Sequence, residues 1–180
     1  MTIATARLRL LPLAPAELLA LCGGVAQFET LTGLRAADGL RAFFVSGDVS
    51  PAWLDQLRAS TEYDPWRHGF AVVEGDGDTV VGVASFKGPP DGDGVVEIAY
   101  GIVPAYEGRG YATEAAAALV DFARCDARVR VVRAHTLPER NASTRVLTKC
   151  GFELLGEVID PEDGLVWRWE RTPAPQRAAT

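Results

Sequence analysis

The stretch "VVEIAYGIVPAYEGRGYATE", from Val95 to Glu114, holds the residue types most capable of chemistry. It opens as a strand, turns over Pro104 and a Gly-Arg-Gly knot, and continues as a helix. A strand that feeds a helix through glycines presents bare backbone N–H groups at the helix N-terminus. The helix dipole adds positive potential there, so the turn suits a phosphate. Gly108 and Gly110 let a bulky group approach the backbone, and Arg109 adds a cation. The P-loop pattern requires Gly-Lys-Ser/Thr after a longer spacing, and the dinucleotide fingerprint requires a third glycine where Thr113 stands. Neither pattern is met. A tight strand–helix connection with no ligand explains the same residues. Upstream, the carboxylate of Glu97 is a candidate proton acceptor, or a solvent-facing residue of an alternating strand.

Other candidates are sparse. Cys22, Cys125 and Cys150 are far apart, form no Cys-x-x-Cys pair, and read as reduced thiols of a cytoplasmic protein. Cys150 has no histidine near it in sequence, which argues against a covalent acyl-cysteine route. His68 and His135 are isolated in sequence; His135 falls in a strand next to the candidate site, but both read as packed or surface residues, and no metal-ligand spacing occurs, so no metal is expected. Trp53, Tyr63 and Trp66 suit either an acceptor pocket or a core. The formal net charge of −6 argues against a nucleic-acid partner and is mildly compatible with a cationic substrate. The N-terminal segment lacks a secretory pattern, and no apolar run approaches membrane-spanning length.

The elements that must position these residues follow from periodicity and punctuation. At 180 residues, 48% hydrophobic and 23% charged, one globular domain is expected over residues 1–171, with a flexible tail at 172–180. A first strand is predicted over Arg7–Leu13, and a helix over Ala14–Leu21. The stretch from Gly23 to Gly47 accommodates one or two helices. Ser50 caps a helix whose Trp53, Leu54 and Leu57 share a face. Strands at Phe70–Glu74 and Thr79–Lys87 form a hairpin, followed by a strand at Val95–Ile102. A helix runs from about Gly110 to Ala123, and a strand covers Val129–Thr136. Asn141 caps a short helix that Gly151 stops in the left-handed region. Two strands, Phe152–Val158 and Leu165–Glu170, complete the order.

The segments "VEIAYGIVPAYEGRGYATEAAAALVDFA" and "TLPERNASTRVLTKCGFELLGEV", in that order, closely resemble the two core motifs of the GNAT superfamily of acyl-CoA N-acyltransferases. The opening "TARLRLLPL" looks like the branch similar to ribosomal-protein N-terminal acetyltransferases. The resemblance implies an α+β fold in α/β/α layers. A central mixed, mostly antiparallel twisted sheet of about six to seven strands carries helices on both faces. It also implies that Gly108, Arg109, Gly110, Tyr111, Ala112 and Thr113 cradle the pyrophosphate of acetyl-CoA. The preceding strand is expected to bulge, so that Ile102 and Val103 pair with the pantetheine arm. Asn141 would reach the pantetheine amides as well as capping its helix.

Two positions depart from the family pattern. Glu107 stands where Gln or Arg usually begins the turn, and is expected to point to solvent. Leu147 stands where a tyrosine general acid is usual, and the resembled branch points to Ser143 instead. The implied activity is acetyl transfer from acetyl-CoA to a primary amine, a protein N-terminus or a small molecule, by direct attack in a ternary complex. Glu97 would be the base, and backbone N–H groups near Val103 would polarise the thioester carbonyl. A non-catalytic acyl-CoA-binding or regulatory module of the same fold is the alternative. The expected partners are coenzyme A and the amine acceptor, with a homodimer open and no membrane or nucleic acid.

Overall fold

The computed structural model describes residues 1–45, 51–161 and 163–172. In chain order the elements are β1 (Ile3–Ala4), β2 (Leu8–Pro12), α1 (Pro15–Gly23), α2 (Val25–Thr32), β3 (Arg35–Ala36) and α3 (Ala42–Val45). They continue with α4 (Pro51–Ala59), α5 (Pro65–His68), β4 (Phe70–Glu74), β5 (Thr79–Phe86) and β6 (Val95–Ile102). The chain ends with α6 (Tyr111–Ala123), β7 (Val131–Thr136), α7 (Ala142–Lys149), β8 (Glu153–Asp160) and β9 (Gly164–Arg171). The Ser50 cap and the tail beyond residue 172 lie outside the described residues.

The strands form a nine-stranded sheet in the order β1-β2-β4-β5-β6-β7-β9-β8, with β3 pairing β5. The β3–β5 and β6–β7 pairs are parallel and the others antiparallel. β1 and β3 are two-residue strands, so seven longer ones carry the sheet, as the sequence suggests.

Alternation along the strands sends side chains into two cores. Val72 and Val81 join α6 residues Ala115, Ala116 and Leu119 on one face. Val73 and Val80 join Leu18, Leu21, Phe28 and Leu57 on the other. β4 is buried on both faces, which is why "FAVV" reads as an unbroken apolar run. The alanines of α6 bring its backbone close to the sheet and so fix where its N-terminus sits.

The segment after Gly23 resolves into α2, β3 and α3 within the described residues. α5 was not anticipated. Its four residues are too few for periodicity, yet Asp64 accepts from Trp66 N at 2.9 Å and Pro65 occupies the first position.

Candidate active site

The site begins where two strands part. β6 and β7 pair only at Val95/Val131, Val96/Val132 and Glu97/Arg133. Beyond Glu97, β6 continues along β5 as far as Ile102, while β7 continues along β9 as far as Thr136. The expected bulge in β6 is absent: its pairing with β5 runs in unbroken register from Ile98 to Ile102. The opening comes from splaying instead.

Backbone direction then follows from the ladder. Lys87 N donates to Glu97 O, and Val103 N to Val81 O, both at 2.9 Å. Odd-numbered residues of β6 therefore face β5, and the peptides of Tyr100 and Ile102 face the gap. Val103 is fully engaged, because its carbonyl also accepts from Tyr106 N at 2.9 Å. Of the two residues expected to offer backbone pairing, only Ile102 is placed to do so, and Tyr100 takes the other position.

The turn into α6 follows a single 3-10 turn at Pro104–Tyr106. Gly108 and Gly110 adopt φ of 74° and 83°, the left-handed region that favours glycine. A Cβ on Gly108 would meet nothing within 4 Å, so the space beside it is open. The first intrahelical bond is Glu114 N to Gly110 O at 3.1 Å. Among the described residues, no backbone N–H from Gly108 to Thr113 has a protein acceptor. Glu107 is exposed, as expected.

Side chains brace this turn from behind. Arg7 Nη1 donates to Arg109 O at 2.7 Å, and its Nε to Glu114 Oε2 at 2.8 Å. Burial works against ionising Glu114, but hydrogen bonds from Thr5 and Arg7 outweigh it and hold the carboxyl below its usual range. Arg109 leans over the Tyr106 ring and pairs with Glu74 at 3.3 Å. Tyr111 turns its ring into the core and donates its hydroxyl to Glu74. Only its backbone therefore stands at the turn. Ala112 and Thr113 are half-buried, and the Thr113 carbonyl accepts from Cys150 Sγ at 3.4 Å.

At the vertex of the splay lies a cavity of about 210 Å³ whose lining includes Lys87, Glu97, Tyr100, His135, Ser143 and Asp163. Glu97 Oε1 is 2.9 Å from Lys87 Nζ and 3.2 Å from His135 Nδ1. The histidine contact lies off hydrogen-bond geometry. Asp160 Oδ2 is 3.8 Å from the same nitrogen, and Lys87 also reaches Asp163 at 3.5 Å. Arg168 Nε donates to His135 Nε2 at 3.5 Å, so a neutral His135 carries its proton on Nδ1, toward the carboxylates. Burial alone lowers the Lys87 pKa, but Glu97 and the two aspartates raise it further, and the side chain stays charged. His135 is only 8% exposed, so it is packed and at the site together.

Ser143 faces this cavity from the first turn of α7, which Asn141 caps by accepting from Thr144 N at 3.1 Å. The Tyr100 hydroxyl donates to Ser143 O at 3.5 Å, and burial pushes its pKa well above the ordinary tyrosine value. Leu147 is fully buried, and burial raises the Cys150 thiol pKa. Lys87, Tyr100 and the Asp160–Asp163 turn carried no sequence signal for the site. Their convergence is a matter of topology.

A second cavity of about 730 Å³ adjoins the first and shares Lys87, Ala99 and Tyr100 with it. Trp53 lines it, whereas Trp66 packs against Phe86 and Phe122 and Tyr63 donates to Gly69 O. His68 is also in its wall. Its Nδ1 accepts from Asp64 N at 2.9 Å and burial lowers its pKa, so the ring is neutral with its proton on Nε2. Among the described residues, no group of three or more His, Cys, Asp or Glu side chains is placed to hold a metal ion, and no helix is long and apolar enough to cross a membrane.

The family model described as acetyltransferase (GNAT) domain matches residues 7–153, and the chain belongs to that family. It is 30% identical over 92 residues to the uncharacterized N-acetyltransferase YjdG of Bacillus subtilis, covering 51% of this chain and 52% of that one. The chain thus spans about half the length of the curated relatives it matches. In fold it is similar to a GNAT-family acetyltransferase of Bacillus anthracis, with a TM-score of 0.65, 18% identity, and 96% and 99% of the two chains covered. It is likewise similar to RimL, a ribosomal L7/L12 α-N-protein acetyltransferase solved with coenzyme A. There the TM-score is 0.63 with 16% identity, over 96% and 98% of the chains.

Proposed function

We propose that the chain is an acetyl-CoA-dependent N-acetyltransferase acting on a primary amine by direct attack. The observation that carries this reading is the meeting of Glu97 and Ser143 on one small cavity at the vertex of the β6–β7 gap. Acetyl-CoA would supply the activated thioester, and the residues present fit it. The unpaired N–H groups of Gly108 to Thr113, beside open space at Gly108, suit a pyrophosphate. The peptides of Tyr100 and Ile102 suit the pantetheine arm. Asn141 spends its side-chain oxygen on the helix cap, which leaves its amide N–H groups for the same arm.

In this reading Glu97 takes the amine proton, the new N–C bond forms as the C–S bond breaks, and Ser143 donates a hydrogen bond to the departing sulfur. An α-amine has a pKa of about 8 and a lysine about 10.4, so a base is needed at neutral pH. Lys87, 2.9 Å from Glu97 Oε1, holds the carboxylate in place. The N–H that polarises the carbonyl cannot be that of Val103, which Val81 occupies. It is assigned instead to a peptide facing the gap.

Release of free thiol from acetyl-CoA, with primary amines and N-terminal peptides as acceptors, tests the proposal. Amine-dependent release is expected. A chain that binds acetyl-CoA and protects its thioester whatever amine is present would instead be a binding module, the role that the buried Leu147 at the usual acid position would suit.

A further inference from the structure

Lys87 already holds an amine against the carboxylate assigned as base. It is the first residue past β5, and its N–H donates to the Glu97 carbonyl at 2.9 Å, so the two are cross-strand neighbours. Their side chains meet as well, with Lys87 Nζ 2.9 Å from Glu97 Oε1. A cross-strand ion pair is in itself an ordinary stabiliser of a sheet. This one stands on the wall of the small cavity that Ser143 also lines, and Lys87 borders the larger cavity too. Its side chain is 39% exposed, so the amine is within reach of a reagent.

Lysine is scarce in this chain. Lys87 and Lys149 are its two lysines, and Lys149 is exposed in the last turn of α7, away from the small cavity's lining. The cations elsewhere about the site, Arg7, Arg109 and Arg168, are arginines, which stay charged and offer no lone pair for attack.

We propose that Lys87 is a self-acetylation site, an acceptor amine that the chain carries in its own site. The proposal rests on the N-acetyltransferase reading and deepens it. Lys87 Nζ gives a proton to Glu97 and attacks the thioester carbon of acetyl-CoA. The N–C bond forms, the C–S bond breaks, and the sulfur leaves. Of the two protons that the ammonium loses, one ends on the sulfur and the other passes through Glu97 to water. The products are coenzyme A and an Nζ-acetyl amide. The tether removes the entropic cost of bringing a separate amine to the base. Burial lowers the Lys87 pKa, but Glu97, Asp163 and Asp160 raise it further, so the amine is charged at neutral pH and the transfer is slow. It ends after one equivalent. The amide has no charge to offer Glu97 and takes up part of a cavity of about 210 Å³. A modified chain therefore has an obstructed base, a brake that sets when acetyl-CoA is plentiful and acceptor is scarce.

The experiment incubates the native chain with acetyl-CoA and no added amine, and locates acetyl groups by mass spectrometry of the intact chain and its peptides. One acetyl group per chain is expected, with about tenfold or more on Lys87 relative to Lys149, and excess coenzyme A is expected to suppress it. Acetic anhydride, which needs no binding site, is expected to favour Lys149, because Lys87 is held by Glu97 and Asp163. Lys87→Arg is expected to stay unmodified, and Lys149→Arg to behave as the native chain. Equal acetylation of the two lysines, the same order with both reagents, or indifference to coenzyme A overturns the proposal. An unmodified Lys87 in a chain that acetylates 2-phenylethylamine or an alanine-starting peptide overturns it and leaves the transferase reading standing. A chain that binds acetyl-CoA but transfers to neither its own lysine nor these amines overturns both.

Discussion

The glycine turn from Glu107 to Tyr111 and the cavity around Glu97, the two parts of the proposed site, are built in opposite ways. The turn is contiguous in sequence and offers backbone: its N–H groups project whatever the side chains are, so Glu107 can stand at its entrance and face solvent. The cavity is assembled from the end of β5, from β6, β7 and α7, and from the β8–β9 turn, and its chemistry rests on side chains brought together by topology. Backbone recognition is specified locally and tolerates substitution. Side-chain chemistry depends on topology, and one altered atom is felt.

Predictions that would break this contrast run from large to small. Glu97→Gln is expected to lower turnover about a hundredfold, the usual scale of general-base catalysis. Acetyl-CoA affinity should not change, and raising the pH should restore part of the rate, because more of the amine is then neutral. Normal turnover with an unchanged pH profile would reduce Glu97 to a strand residue. Gly110→Asp is expected to weaken coenzyme A binding by about tenfold or more in calorimetry, since it puts a carboxylate at the helix N-terminus and a side chain at φ 83°. Circular dichroism identifies the folded variant. Unchanged affinity would remove the turn from the site.

Ser143→Ala is expected to slow turnover several-fold, in keeping with the loss of one hydrogen bond of about 1 kcal/mol. Melting temperature should hold, because the cap belongs to Asn141. Full activity would point to water as the proton source. Glu114 gives a pH signature to the brace behind the turn. Its folded pKa is depressed, so its stabilising contribution is present above the ordinary carboxylate range and is lost as pH falls through the folded value. Glu114→Gln is expected to cost about 1 kcal/mol in urea unfolding at pH 7 and progressively less in acid. A constant deficit across that range would contradict the ionic role. The smallest effect is expected for Glu107→Gln, whose coenzyme affinity should match the native value or exceed it slightly. Markedly weaker binding would show that the turn depends on side chains after all.

What could be read from the sequence follows the same division. The strand–turn–helix at Gly110 and the Asn141 cap were legible because each is a local matter of dihedral preference and capping. The hairpins were legible from apolar alternation. Parity was not: whether Val103 or Tyr100 faces the gap is set by the register of β6 against β5, and "YGIV" carries no mark of it. Nor could Arg7 be tied to Glu114, 107 residues away, from local pattern. His135 looked isolated because Glu97 and Asp160, the groups that give it meaning, reach it only across strands. The four-residue α5 carried an Asp-Pro start that could have been recognised, but no periodicity to support it.

Three residue pairs are all that join β6 to β7 within the sheet. That line is a perforation. Under heat or mechanical load the β7–β9–β8 flap is expected to tear from the rest before either part loses its own ladders, once the core that Val132, Ala134 and Trp169 share with β6 and α6 gives way. A molecule bound in the gap, as proposed for acetyl-CoA, would act as a rivet across the tear, stabilising the closed sheet by an amount that grows with its concentration over its dissociation constant. The chain's survival against proteases is then a gauge of how much of that molecule surrounds it.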